Sequence, residues 1–117
     1  MEPSTNRASV TEPSNLAHIA SLQDLSGRVR IEVAGEPVAT VEVDHGDVRL
    51  MPLVETFDAV FSTCDRADLQ RVVAGELNPV VASIQGRVAM QGNVELVVRV
   101  FLGLRAERIR TRQKEER

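Results

Sequence analysis

The stretch Asn93–Ile109 constrains the fold of this 117-residue chain more than any other. Val94, Val97, Val98, Val100 and Phe101 favour a strand locally, because β-branched and aromatic side chains fit a pleated surface. Glu95, Arg99 and Gly103, however, recur four apart, and Glu95 precedes Arg99 in the order that favours a helical ion pair. We therefore expect a helix with one wet edge, formed by those three residues, and an apolar surface broader than one-sided packing requires. Such a helix must touch its own sheet and something further, either a ligand or a second subunit.

The sheet is legible upstream. In Arg28–Ala34, Val29, Ile31 and Val33 alternate with Arg28, Arg30 and Glu32; in Val38–Asp44, Ala39, Val41 and Val43 form the apolar face. Gly35-Glu36-Pro37 joins the two as a hairpin. After the turn His45-Gly46-Asp47, a third strand spans Asp47–Met51 and ends at Pro52, which has no N–H for a ladder. A fourth, Phe57–Cys64, places Phe57, Ala59, Phe61 and Thr63 on one side, and a fifth, Arg87–Gln91, places Val88 and Met90 on one face.

Helices are expected around these strands. Leu16, Ile19, Ala20, Leu22 and Leu25 recur at spacings of three and four, so a helix is expected from Ser14 or Asn15 to Ser26-Gly27. Asp65 and Asp68 open another, with Leu69, Val72 and Val73 as its stripe and Gly75 as its stop. Asn78-Pro79 opens a short one, a cap followed by a proline whose missing N–H costs nothing there, and its buried side is expected to be Val80, Val81 and Ile84. The fold class is α+β, a helix-covered mixed sheet. Residues 1–13 are expected as a disordered tail, 14–109 as the one domain, and 110–117 as a polar basic tail.

Composition narrows the function. With three Phe and no Tyr or Trp, any pocket must be aliphatic. Residues 1–104 hold eight Arg/Lys against fourteen Asp/Glu, and this acidic body argues against nucleic acid, which wants clustered cations. Residues 105–117 hold six basic against three acidic residues, which reads as a solvated helix end or, more sharply, as a transient contact with an anionic membrane. Cys64 is the only cysteine, in keeping with a reducing compartment. No secretory leader, spanning segment or peroxisomal address is read, so the expected location is the cytoplasm.

Reactive chemistry is not expected. The sequence holds no phosphate-binding loop, and Gly86 and Gly92 are too widely set for a dinucleotide fingerprint. His18 and His45 lack partners at metal-ligand spacing, Cys64 lacks a neighbouring base, and Ser62 and Ser83 sit in no nucleophile elbow. No enzyme, cofactor or metal is expected.

From Asp58 to Leu104 the chain resembles the second half of sterol carrier protein-2 domains. The shared order is a strand (Asp58–Thr63), an acidic-start helix (Asp65–Ala74), Gly75, the Asn78-Pro79 pair, the glycine-bounded strand Gly86 to Gly92, and an apolar helix (Asn93–Leu104). The resemblance implies a five-stranded mixed or antiparallel sheet covered by helices, with an apolar tunnel between them for sterols, fatty acids or fatty acyl-CoA. It also implies that Gly75, Asn78, Pro79, Gly86 and Gly92 are structural. By matched position the tunnel lining would be Phe57, Phe61, Val88, Met90, Val94, Val97, Val98, Phe101 and Leu104. The acidic charge and the Val-rich last helix suggest a stand-alone bacterial member. The competing reading is an interaction or assembly module whose interior is filled and whose broad apolar helix forms a homodimer interface.

Overall fold

The computed structural model describes residues 12–115, so the expected tail lies almost wholly outside the described residues. Six strands form one sheet: β1 (Ser14–His18), β2 (Ser26–Val33), β3 (Glu36–Asp44), β4 (Asp47–Met51), β5 (Ala59–Thr63) and β6 (Val88–Gly92). Their spatial order is β1-β4-β3-β2-β5-β6. Every neighbouring pair is antiparallel except β2 and β5. The helices α1 (Arg66–Val73), α2 (Pro79–Ile84) and α3 (Val94–Glu115) complete the fold. The sheet is the mixed, helix-covered one that was expected, with one strand more.

The additional strand is β1, where a helix was expected. Leu16, Ile19, Ala20, Leu22 and Leu25 do not share a helical face: residues 14–18 pair with the free edge of β4, and only Ala20–Leu22 makes a single 3-10 turn. Tertiary demand overrides the weak three-and-four spacing, because β4 would otherwise leave a row of unpaired backbone groups. Leu16 and Leu25 are half-buried and Ala20 is exposed. Ile19 and Leu22 lie in the core, and their side chains flank Gly103 of α3, so close that a Cβ there would meet Leu22 at 3.3 Å.

Both hairpins turn on two residues. Ala34-Gly35 and His45-Gly46 each have positive φ at both positions, the geometry that matches the twist of adjoining strands. The first turn therefore comes before Glu36-Pro37, which belong to β3 rather than to the connection. Strand β5 begins at Ala59, so Phe57 and Asp58 lie outside the ladder.

The helix starts follow the sequence. Asp65 Oδ1 accepts from the Ala67 N–H at 2.9 Å, and Asn78 Oδ1 accepts from the Val80 N–H at 2.8 Å ahead of Pro79. Asn93 does the same for α3, accepting from the Leu96 N–H at 3.2 Å. Asp68 serves differently, pairing with Arg71 and Arg87. The buried side of α2 is Pro79 and Ala82, not Val80, Val81 and Ile84, which face outward; Ile84 is 81% exposed.

Helix α3 is confirmed as a helix and runs to Glu115, beyond the expected end near Ile109. It packs against β2, β5, β6 and the 3-10 turn. Leu96, Val97, Val100, Phe101 and Leu104 are fully buried, and the Phe101 ring lies 4.8 Å from that of Phe61 on β5. The edge expected to be wet is largely covered. Gly103 receives the 3-10 turn, and Arg99 Nη2 bonds Asp24 at 3.0 Å and the Ser21 carbonyl at 3.3 Å.

The opposite sheet face carries charge. Arg49, Glu42 and Arg28 stand side by side across β4, β3 and β2, and both guanidinium groups bond the half-buried Glu42 carboxylate. Arg49 chiefly, and Arg28 with it, holds the Glu42 carboxyl below its ordinary range. A depressed carboxyl stabilises the fold fully above its ordinary value, and that contribution is lost as pH falls through the lower folded value. Thermal melts should therefore show the gap between wild type and Glu42→Gln narrowing as pH drops below about 4.5.

The glycine-bounded strand gives a second test. Gly86 and Gly92 both have φ of +79°, where any L side chain costs about 1–2 kcal/mol. A Cβ at Gly86 meets open space, whereas one at Gly92 would lie 2.7 Å from the Asp58 carbonyl oxygen. Urea unfolding should show Gly86→Ala losing about 1–2 kcal/mol and Gly92→Ala losing clearly more.

Candidate functional site

The helix-facing side of the sheet is an apolar surface, aliphatic but for Phe61. Registers place Leu50, Val41 and Val29 in one row, and Ala39, Ile31, Phe61 and Met90 in the next. Helix α3 covers the β2, β5 and β6 side of this surface. Toward β3, β4 and β1 the covering element is α1, whose eight residues are only about 12 Å long. Between α1 and these strands lies a groove of about 530 Å³.

Its floor is Ile31 of β2, Val38, Ala39 and Val41 of β3, Leu50 of β4 and Leu16 of β1. Two of these side chains are present because of bulges. The β2–β3 register steps from Ile31/Ala39 to Glu32/Pro37, which leaves Val38 as an extra residue. The β1–β4 register steps from Asn15/Arg49 to Ala17/Val48, which leaves Leu16 as another. A bulge interrupts the strict alternation of sides and re-aims the inserted side chain. Here each one adds an aliphatic group to the floor.

The wall is one face of α1. Arg66, Leu69, Gln70, Val73 and Ala74 recur at the spacings that line a single helical stripe. Arg108 of α3 completes the lining. It stands beside Gly75, whose hypothetical Cβ would lie 2.9 Å from the Arg108 Cβ.

The nine residues expected to line a tunnel lie elsewhere. Phe61, Val97, Phe101 and Leu104 are fully buried in close-packed core, and Val88 is buried. Met90 and Val98 are half-buried, and Val94 is exposed. Phe57 is 37% exposed and carries the Arg30 guanidinium 4.8 Å above its ring. None of the nine is among the residues lining the groove. Of the motif residues, Asn78 and Pro79 start α2, and Gly75, Gly86 and Gly92 adopt positive φ.

Sequence reasoning did single out Leu69, Val73, Ala39, Val41 and Ile31 as apolar stripes, but as core. The spacing assigns Leu16 to a helical stripe and Val38 to a strand start, and nothing local places either of them, or Arg66 or Arg108, at a groove; their positions there depend on the two bulges and on how α1 and α3 pack.

Other polar groups are engaged at the surface. His18 Nδ1 lies 2.6 Å from Asp47 and His45 Nδ1 lies 2.6 Å from Asp44, both exposed, and Cys64 is exposed. Among the described residues no three His, Cys, Asp or Glu side chains gather as a metal site, and no helix is long and apolar enough to cross a membrane.

Solved structures share the fold. The apo sterol carrier protein 2 of Yarrowia lipolytica superposes with a TM-score of 0.50 at 16% identity, over 67% of this chain and 66% of that one. This chain thus spans just under two-thirds of that carrier's length. The sterol carrier protein domain 2 of Helicoverpa armigera gives 0.50 at 22% identity, over 70% and 68% of the two chains. The UbiJ-SCP2 ubiquinone synthesis protein gives 0.54 at 17% identity, over 78% and 79%. No curated protein sequence matches the chain. Residues 8–101, most of the length, match the SCP-2 sterol transfer family, and the chain belongs to that family.

Proposed function

We propose that this protein binds and transfers an apolar small molecule, and that the molecule lies in the groove between α1 and strands β1, β4, β3 and β2. The observation that carries this reading is the groove itself. It has about 530 Å³ of space and a lining that is aliphatic except for Arg66, Gln70 and Arg108. That volume falls within the roughly 300–1,000 Å³ of small-molecule sites, which are mostly apolar with a few polar groups. The reading is non-enzymatic, since a lining of this kind offers shape and apolar contact. Family membership supports it, as the family is one of sterol transfer.

A second reading has two observations behind it. The space under α3 is filled by Phe61 and Phe101, and α2 turns Val80, Val81 and Ile84 outward. These features suit an assembly module that docks through α2. The UbiJ-SCP2 neighbour, named for ubiquinone synthesis, is compatible with such a role. Native mass spectrometry of the purified protein separates the two readings, because it reports bound lipid and subunit count together. Lipid-bearing monomer supports the carrier; lipid-free dimer supports the module.

Two substitutions locate the site. Leu69→Trp adds bulk to the α1 wall and should weaken a fluorescent lipid probe at least tenfold, about 1.4 kcal/mol, with the fold retained. Phe101→Ala should cost about 3–5 kcal/mol of stability and leave the probe's affinity within twofold under conditions where the variant is folded. Loss of binding in Phe101→Ala but not in Leu69→Trp would return the site to the space beneath α3. No saturable binding of any lipid probe by delipidated wild type would end the carrier reading.

A further inference from the structure

The two edges of the sheet are unlike. The β1 edge follows Pro13 directly, is broken by the bulge at Leu16 and closes on the His18–Asp47 contact. Prolines, bulges and charges keep further strands from adding to an edge. The other edge, β6, has none of these. Val88–Gly92 contains no proline and no charged residue, and its register with β5 runs without a shift.

Two bonds fix which backbone groups of β6 are free. The Ala34 N–H donates to the Thr63 carbonyl at 2.8 Å, so Thr63 turns toward β2 and its neighbour Ser62 toward β6. The Asn93 N–H donates to the Asp58 carbonyl at 3.0 Å, in the same phase. Successive strand residues direct their backbone groups to opposite sides. Ala89 and Gln91 therefore face β5, while Val88 and Met90 direct N–H and C=O to the open edge. Because β6 is last in the strand order, no described strand meets them.

The surface around this edge is neutral. Residues 79–94 cover α2, β6 and the first residue of α3, and they hold one charged side chain in a chain that is 26% charged. That residue, Arg87, is tied to Asp68 at 3.5 Å. The same span carries Val80, Val81, Ile84 and Val94, four of the six large hydrophobic side chains exposed among the described residues. Both α2 and α3 pack against β6.

We infer that β6 is an interface for a second copy of this chain, the two β6 strands pairing antiparallel about a two-fold axis at Ala89. Hydrogen bonding, side chains and charge each fit that axis. It sets Val88 opposite the partner's Met90, and Met90 opposite the partner's Val88. These are the residues whose backbone groups face outward, so each pair can exchange both of its bonds. On the helix side Val then meets Met, and on the other side Ala89 meets the partner's Ala89 while Arg87 meets the partner's Gln91. No like charges are opposed. A charged peptide or a nucleic acid would find no counter-charges in this span, whereas a neutral surface of this kind is complementary to itself, as a two-fold interface requires. A five-residue strand pair falls short of the roughly 1,000 Å² of a specific interface, and the exposed side of α2 offers further apolar area beside it. The groove lies toward the opposite edge, on β1, β4, β3 and β2. Both grooves of such a dimer stay open, so the inference goes beyond the groove reading and does not rest on it.

Sedimentation velocity of the full chain, from low micromolar to several hundred micromolar, should show a concentration-dependent monomer–dimer equilibrium. Ala89 is exposed, so a charge placed there disturbs no core. Ala89→Glu and Ala89→Lys should each weaken the dimer about tenfold or more, because the axis sets like charges directly opposite one another. An equimolar mixture of the two variants should recover the dimer, since opposite charges then meet. Circular dichroism melts confirm that both variants are folded. A wild type that stays monomeric throughout would overturn the inference and leave the groove reading untouched. So would a dimer that neither variant weakens, or one weakened by Ala89→Glu and strengthened by Ala89→Lys, which would mark a general charge effect on an acidic chain. Variants that fail to re-associate on mixing would remove the axis at Ala89, and the inference with it.

Discussion

The seating of α3 on β5 governs the rest of the molecule. Phe61 and Phe101, two of the three aromatic residues in the chain, meet at 4.8 Å at that contact and are both fully buried. Burying each ring is worth about 1.5–3 kcal/mol, and the pair adds about 0.5–1.5 kcal/mol. With the long helix held over β2, β5 and β6, its bulk is not available to cover β3, β4 and β1. That duty falls to α1, which is too short to close the surface, and the groove is the space left between them.

The parallel pairing of β2 with β5 is what separates the two regions. Strands β2, β3 and β4 form a meander of two tight hairpins, and β1 adds to its far edge. The chain then crosses back to the other side of β2 to lay down β5 and, after the two short helices, β6. The meander supplies the groove floor, while the β5–β6 side supplies the seat for α3. Bulges at Val38 and Leu16 then enlarge the apolar floor without changing the strand order. Close-packed support on one side and an open aliphatic surface on the other come from one sheet.

Polar residues are distributed to match. The Arg28, Glu42 and Arg49 row, the Arg30–Phe57 stack and both histidines lie away from the groove. Arginine from α1 and α3 reaches its lining, together with one glutamine.

Much of this was written locally. Alternation fixed the faces of β2 and β3, Asp65, Asn78 and Asn93 fixed the helix starts, and the four-residue recurrence of Glu95, Arg99 and Gly103 outweighed the β-propensity of the valines in α3. These signals act over a few residues, through pleat, cap and helical turn, so a sequence displays them. Residues 14–18 became a strand because β4 offered a free edge, a fact that lies some thirty residues away. Phe101 and Leu104 are fully buried, and Phe101 meets Phe61, a partner forty residues away in the chain. Arg66 and Arg108 share one groove only because α1 and α3 pack together. The sequence by itself determined which residues are apolar and which elements they form; the packing of two helices of unequal length on one sheet decided which apolar surface was left open, because a cavity is set by the distance between elements and not by their composition.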